Sequence, residues 1–295
     1  LTDHVQTKSE IRALLEAAGL RPRKRFGQSF LIDGNLMRRL VACADIEPED
    51  VVLEVGGGTG GLTELLAQAA GWVVCLEIDR GLYAQLTARL ADCPNITLLC
   101  ADALAGKNRL AGQMVDALRQ AKEKCQGRAM LVANLPYKIA TPLVGSILLD
   151  LPEIRRLCFT VQSEVGDRMT AGPGSRAYGP ISVLLQSMCD VQVIAQVPPE
   201  AFWPRPKVDS VMLRLDVGAL PFPTPIELRS FTSFVRSLFE HRRKTLRAAI
   251  RHAVPGNKLD RQSMDLDLSR RPQTLSVEEW IGLFRATVGR REHDD

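Results

Sequence analysis

Asn134-Leu135-Pro136-Tyr137 combines, in four residues, a carboxamide, a main-chain carbonyl, a rigid turn and an aromatic face. These are groups that can act on a planar exocyclic amine. Such an amine is a poor nucleophile, because its lone pair is delocalised into the ring. Two acceptors, the side-chain oxygen of Asn134 and the carbonyl of Leu135, can hold its two hydrogens and draw the nitrogen towards tetrahedral geometry. Pro136 fixes the turn and biases Leu135 to extended backbone. Tyr137 offers a surface on which an extruded base can stack. Alone, the same four residues equally suit a strand-ending turn with a buried tyrosine.

A second stretch, Glu54-Val-Gly-Gly-Gly-Thr-Gly-Gly61, is a glycine-rich turn between an apolar strand and a helix. Glycines there let main chain approach a ligand closely, and the following helix offers free N–H groups. The turn reads two ways. Gly56, Gly58 and Gly61 fit a dinucleotide pattern, whereas Gly56, Gly58 and Gly60 behind Glu54 fit an S-adenosylmethionine pattern. Glu77, which ends the next strand with Ile78 behind it, can accept both ribose hydroxyls of either cofactor. Asp102, followed by Ala103, is placed to accept from an adenine amine, although an Asx turn or helix cap is its alternative role. Asp102 discriminates between the cofactors better than Glu77, and Glu54 also fits a dinucleotide site poorly. It would crowd a pyrophosphate with negative charge but tolerates a sulfonium cofactor with an amino-acid tail.

These residues need a scaffold that brings strand ends together. From Val51 the chain alternates apolar strand, turn and helix: strands at 51–55, 72–79, 95–102, 129–137 and 157–162, with helices between them. Continuous aliphatic and β-branched runs bounded by Gly and Asp predict strands buried on both faces. That implies an α/β fold, a mostly parallel Rossmann-like sheet with helices on both sides. Strands at 191–197 and 209–217 lack a crossover helix between them and are expected to close the sheet, as an antiparallel pair. A helix is expected from Ser9 and another after an Asp33 cap. Ser276 with Glu279 matches a capping box for a last helix over 277–287. The Pro/Gly-rich 218–225 reads as a linker. The expected domains are 1–217, with 1–45 as N-terminal helices and a segment covering the cofactor, and a helical RNA-binding domain over 226–295.

The totals permit this division. The chain has 295 residues, 45% hydrophobic and 24% charged, with a formal net charge of +4. The charge is too mild by itself to imply nucleic acid, so the distribution must. Seven cysteines occur singly without C-x-x-C spacing, as expected of reduced, mostly buried thiols in a cytoplasmic protein. All four histidines lie outside the central region from Val5 to Glu240, which argues against a zinc site or a Ser-His-Asp triad there. No metal and no membrane span are expected.

The ordered set KRFGQSFL, EVGGGTGGLTE, LEIDR, ADAL, NLPY, AGPGSRAYG, FWPRPKVDS and RRKTLR resembles the ribosomal RNA adenine N6-dimethyltransferases, in particular the bacterial small-subunit type. The resemblance runs from about Arg23 to the C-terminal helices. It implies a class I methyltransferase fold and S-adenosyl-L-methionine as cofactor. It further implies dimethylation of two adjacent adenosines near the 3′ end of 16S rRNA, within an immature small subunit, by a monomer. Gln28, Ser29 and Leu31 would line the methionine end, with Gly56 as turn glycine. Glu77 would hold the ribose, Asp102 the cofactor adenine, and Asn134 both cofactor and target amine. Phe202 would sandwich the target base against Tyr137. The family commonly has Asn at the position of Ser29; a main-chain contact survives that change.

Two basic stretches would meet RNA. Arg21, Arg23, Lys24 and Arg25 precede the cofactor site. Arg243, Arg247 and Arg251 fall at i, i+4, i+8 on an expected helix over 241–252, a face able to follow phosphates or simply to be solvated. Lys207 would add a phosphate contact near the flipped base. Three other functions compete: the same chemistry on large-subunit rRNA, as in macrolide-resistance methylases; a non-catalytic RNA-binding assembly factor; and an NAD-dependent dehydrogenase. The last lacks any convincing hydride-handling site.

Overall fold

Thr7, rather than Ser9, caps the first helix: its hydroxyl accepts from Glu10 N while the Glu10 carboxylate accepts from Thr7 N, a reciprocal capping box. The computed structural model describes residues 6–254 and 266–288, the side chains of Lys24 and Val288 excepted. In chain order the elements are α1 (Lys8–Ala17), β1 (Phe30–Leu31), α2 (Gly34–Ala44), β2 (Val51–Val55), α3 (Gly61–Ala69), β3 (Trp72–Glu77) and α4 (Arg80–Arg89). Then come β4 (Ile96–Cys100), α5 (Gly112–Lys124), β5 (Ala129–Asn134), α6 (Ala140–Asp150), β6 (Ile154–Gln162), α7 (Ser163–Thr170) and α8 (Pro180–Met188). The remainder are β7 (Cys189–Val197), β8 (Phe202–Trp203), β9 (Ser210–Val217), α9 (Pro225–Glu240), α10 (Leu246–Ala253) and α11 (Val277–Val288).

Seven strands form one sheet in the order β4-β3-β2-β5-β6-β9-β7. The first five are parallel, and β9 runs antiparallel to β6. The expected Rossmann-like architecture is therefore present. Every residue of β2 is buried, and Val52, Met130, Val132 and Cys158 join α2 and α3 in a common core. Each such aliphatic side chain contributes about 1.5–3 kcal/mol by leaving water. Burial on both faces fails only at the sheet edges: β4 and β7 have one neighbour each and stay largely half-exposed.

This strand order decides where a ligand can sit. From β2 the chain moves outward through β3 and β4, then returns to place β5 on the other side of β2. The direction of winding reverses between β2 and β5, which opens a crevice beyond their carboxyl ends. The glycine turn leaves β2 at that point, and Asn134 ends β5 beside it.

The chain divides into two compact units, Leu1–Gly166 with Gln192–Val217, and Asp167–Val191 with Gly218–Asp295. The boundary thus differs from a single cut at 217. The AGPGSRAYG stretch belongs to the helical unit because Gly174 N donates to Gln273 O (2.7 Å) and the Tyr178 hydroxyl donates to Leu275 O (2.9 Å). Phe222, within the expected linker, is buried among Phe231 and Phe284 of that unit's aromatic core. Ser276 and Glu279 form the expected reciprocal cap ahead of α11.

Candidate active site

The glycine turn is shaped by its neighbours. Gly56, Gly58 and Gly60 all have positive φ (90°, 58° and 89°), a region costly for residues with a Cβ. Gly56 N and Gly57 N both donate to Leu76 O, pinning the turn to β3. A Cβ on Gly56 would lie 3.3 Å from the Pro136 ring, so the glycine turn and the Asn134–Tyr137 turn press on one another. Gly60 caps α3 and packs against Leu86 and Arg89, so its role is to build the turn.

Beyond these turns lies a cavity of about 320 Å³. Its walls include Gln28, Ser29, Gly56, Gly58, Glu77 and Ile78, together with Asp102, Ala103, Asn134, Leu135, Pro136 and Tyr137. Arg25 also lines it, with its guanidinium 4.6 Å from the centre of the Phe26 ring. A smaller adjoining cavity of about 40 Å³ holds Leu31 and Glu54, together with Gln6. Most residues named for the cofactor from the sequence therefore converge on two neighbouring cavities.

Glu77 is the organising acid. Its Oε2 accepts from Gly58 N (2.9 Å) and its Oε1 from Asp79 N (2.8 Å). Both oxygens are thus fixed by main-chain donors on the cavity wall. Burial pushes its carboxyl above the usual range, while these main-chain donors pull it back. Asp102 lies past the end of β4, and its Oδ1 accepts from Leu104 N (3.0 Å). It makes an Asx turn and also borders the cavity.

Glu54 is wholly buried, and its Oε2 has no hydrogen-bond partner. Desolvation raises its pKa to about 7, opposed by the Thr63 and Cys75 side chains and reinforced by the charge of Glu77. An orphaned carboxylate oxygen in a small cavity beside the glycine turn fits a ligand carrying a cationic tail. A pyrophosphate would meet an uncompensated acid there.

Asn134 is fixed at both ends of its carboxamide. Nδ2 donates to Ser29 O (2.9 Å), and Oδ1 accepts from the Thr160 hydroxyl (2.5 Å). Because Ser29 O can only accept, the amide cannot be reversed, and Oδ1 must face the Thr160 side. The contact that Asn134 makes to position 29 is to main chain and does not depend on the side chain there. The Ser29 hydroxyl donates instead to Pro204 O (2.7 Å). Tyr137 is tethered by its hydroxyl to Ser210 Oγ (2.9 Å), and burial raises its pKa.

Phe202 does not line either cavity. It is 2% exposed, lies in β8 paired with Leu31 of β1, and packs in the core with Met212. Alternation along the two-residue ribbon explains this: Leu31 and Phe202 turn to the core, whereas Phe30 and Trp203 stack on the other face with centroids 6.3 Å apart. Thr160, Ser210 and Gln6 went unrecognised in the sequence. Gln6 Oε1 accepts from the Thr59 hydroxyl (2.7 Å), clasping the glycine turn. Thr160 and Ser210 are polar residues at buried strand positions, which is the signal that could have exposed them.

The basic residues differ in setting. Arg23 pairs with Asp79 (3.4 Å), and Lys207 is exposed. Lys24 lies in a short 3-10 turn, and its side chain falls outside the described residues. The expected helix over 241–252 is broken. His241 closes α9, residues 241–244 turn, and the Thr245 hydroxyl caps α10 by accepting from Ala248 N. Arg243 therefore sits in the turn, whereas Arg247 and Arg251 share an exposed face of α10 opposite buried Leu246 and Ile250.

A Rossmann-like sheet with this crevice, and an amide and aromatic turn at its switch point, defines a class I methyltransferase acting on an amine. Residues 19–287 match the family model for ribosomal RNA adenine dimethylase. The chain is 34% identical to a ribosomal RNA small subunit methyltransferase A of Alkaliphilus metalliredigens, over 98% of this chain and 100% of that one. It is 36% identical to the protein of that name from Moorella thermoacetica, over 96% and 98%. Among solved structures, a dimethyladenosine transferase from Plasmodium falciparum shares the fold, with a TM-score of 0.67, 22% identity and coverage of 85% and 94%. The 23S rRNA methyltransferase ErmE aligns with a TM-score of 0.63 at 25% identity, covering 88% and 99%. The chain belongs to the ribosomal RNA adenine dimethylase family, and it is an rRNA adenine methyltransferase.

Proposed function

We propose that the protein uses S-adenosyl-L-methionine to dimethylate N6 of two adjacent adenosines near the 3′ end of 16S rRNA. The substrate would be an immature small ribosomal subunit, met in the cytoplasm by a single copy of the protein. The observation that carries this reading is the immobilised Asn134 carboxamide on the cavity wall at the end of β5, with its oxygen fixed as an acceptor by the Thr160 hydroxyl and its nitrogen by Ser29 O. Full-length identity of 34–36% to proteins named for the small subunit, against 25% to one named for 23S rRNA, supports the smaller subunit.

Glu77 would hold the ribose through the free lone pairs of its two oxygens, with Ile78 and Ala103 flanking the cofactor base and Asp102 at its edge. Glu54 would face the amino-acid tail, its unpartnered Oε2 gaining a cation. S-adenosylmethionine, when bound, supplies an electrophilic methyl group on a sulfonium. The protein's own groups prepare the acceptor. Asn134 Oδ1 and the Leu135 carbonyl take the two amine hydrogens, which frees the nitrogen lone pair for an in-line attack. Tyr137 supports the extruded base from the side. The surplus proton leaves to solvent, so no covalent intermediate on the protein and no histidine is required. Arg247 and Arg251 on α10, with Arg23, Lys24, Arg25, Arg243 and Lys207, would track phosphates.

Incubation of the protein with labelled S-adenosylmethionine and a mixture of undermethylated small and large subunits tests the choice of substrate. Label in 16S rRNA is expected. Label confined to 23S rRNA would assign the protein to the other branch of the family.

A further inference from the structure

Outside the cofactor cavities, the sheet-containing unit carries an open groove of about 900 Å³ between the end of α1, the chain at 19–22 and Trp203-Pro204. Its floor is the half-buried Trp203, which stacks on Phe30. Its rim carries two exposed cations, Arg12 and Arg21, and one exposed acid, Glu16, so the cations outnumber the acid. Arg21 pairs with no acidic group among the described residues. Arg12 meets Glu16 at 3.7 Å with both side chains mostly in water (56% and 72% exposed), a pairing weak enough for a phosphate to displace.

The groove and the cofactor cavity share a wall at two points. Ser29 lines the cavity and donates to Pro204 O, which borders the groove. Phe30 lines the cavity with one face and backs Trp203 at 6.3 Å. The groove is thus separated from the cavity that Tyr137 lines only by the Ser29–Phe30 and Trp203–Pro204 ribbon, within reach of a nucleotide adjoining a base held there. An aromatic floor with cationic rims is the composition that holds a single-stranded nucleotide: any base can stack, and guanidinium groups take its phosphate.

We propose that this groove is a second nucleotide subsite, which binds the nucleotide next to the target adenosine with its base on Trp203 and its phosphate on Arg21 and Arg12. The proposal rests on the reading of the protein as an RNA adenine methyltransferase. It adds a contact on a surface that takes no part in the chemistry. Stacking fixes where the neighbouring base lies and so registers the target base over Asn134. It shows no strong preference among bases.

The test uses single-stranded RNA carrying 2-aminopurine immediately beside the target adenine, bound to the full chain in the presence of S-adenosylhomocysteine. Wild type should quench the 2-aminopurine. Trp203→Ala should lose the quenching together with about tenfold in RNA affinity, and Trp203→Phe, which keeps a stacking face but no electron-rich indole, should retain most of the affinity. Because Trp203→Ala also removes support from Phe30, its affinity for S-adenosylhomocysteine is measured in parallel and should be unchanged. Arg21→Glu, at an exposed site, should weaken RNA binding and flatten its salt dependence. Undiminished quenching in Trp203→Ala, no quenching in wild type, or RNA affinity indifferent to Arg21→Glu would overturn the subsite. Methylation of small subunits by wild type reports separately on the parent reading, which survives any of those results.

Discussion

Thr160 and Asn134 face each other directly across β6 and β5, and the threonine hydroxyl donates to Asn134 Oδ1 at 2.5 Å. Register and chemistry coincide here. The strand pairing sets the distance, and the hydroxyl, 0% exposed, has its acceptor in reach. Thr160→Val keeps the shape but removes the donor, leaving the half-buried Asn134 oxygen without its protein partner at a cost of about 1 kcal/mol. The carboxamide then loses one of its two anchors. Turnover should fall about tenfold or more with little change in KM for the cofactor, and Thr160→Ser should restore most of it. A Thr160→Val enzyme with unchanged kcat would mean that Ser29 O alone orients Asn134.

The buried Glu54 makes a pH-dependent cost. Its folded pKa is about 7 against an ordinary 4.5, so the folded state holds its proton more tightly than the unfolded chain. Stability therefore declines as pH rises from about 4.5 to about 7, and the loss stays in place above that. The span corresponds to about 3 kcal/mol. Glu54→Gln should be more stable than wild type at pH 8, with the gap shrinking towards pH 5, as read by urea denaturation without cofactor. A constant gap across that range would show that Glu54 is ionised when folded.

Gly56 faces two constraints together, a φ of 90° and a Pro136 ring 3.3 Å from where a Cβ would stand. Gly56→Ala should cost about 1–2 kcal/mol in strain and move the Asn134–Tyr137 turn. Calorimetry should find cofactor binding weakened at least tenfold. Wild-type affinity in a folded Gly56→Ala protein would contradict the close approach of the two turns.

Tyr137 separates into a ring and a tether. Tyr137→Phe removes only the bond to Ser210, worth about 0.5–1.5 kcal/mol, and should retain most activity. Tyr137→Ala removes the stacking face and should lose 10- to 100-fold in kcat/KM for RNA, in line with about 1–3 kcal/mol per stacked base. Equal losses in both variants would place the function of Tyr137 in its hydroxyl.

The legible part of the protein was the part governed by local rules. Continuous apolar runs and glycine turns announced the parallel strands, and Glu77 and Asn134 stand at the ends of β3 and β5, with the glycine turn following β2. Thr160 and Ser210 were hidden because their roles arise from register between strands far apart in sequence. Phe202 was misplaced for the same kind of reason. Its direction depends on alternation in a two-residue ribbon that only its partner Leu31 defines. The basic face over 241–252 followed helical spacing, but Thr245 caps a new helix and removes Arg243 from it. The 171–179 stretch gave no local sign of its unit, since its anchors lie about a hundred residues away at Gln273 and Leu275.

The central claim is that Asn134 presents an adenine N6 for two successive methylations. Nucleoside analysis of 16S rRNA, after reaction of undermethylated small subunits with S-adenosylmethionine, tests it directly. Wild type should yield N6,N6-dimethyladenosine at two adjacent positions, and Asn134→Ala should yield almost none while still binding the particle. Methyl groups found on ribose or on another base, or full dimethylation by Asn134→Ala, would contradict the account.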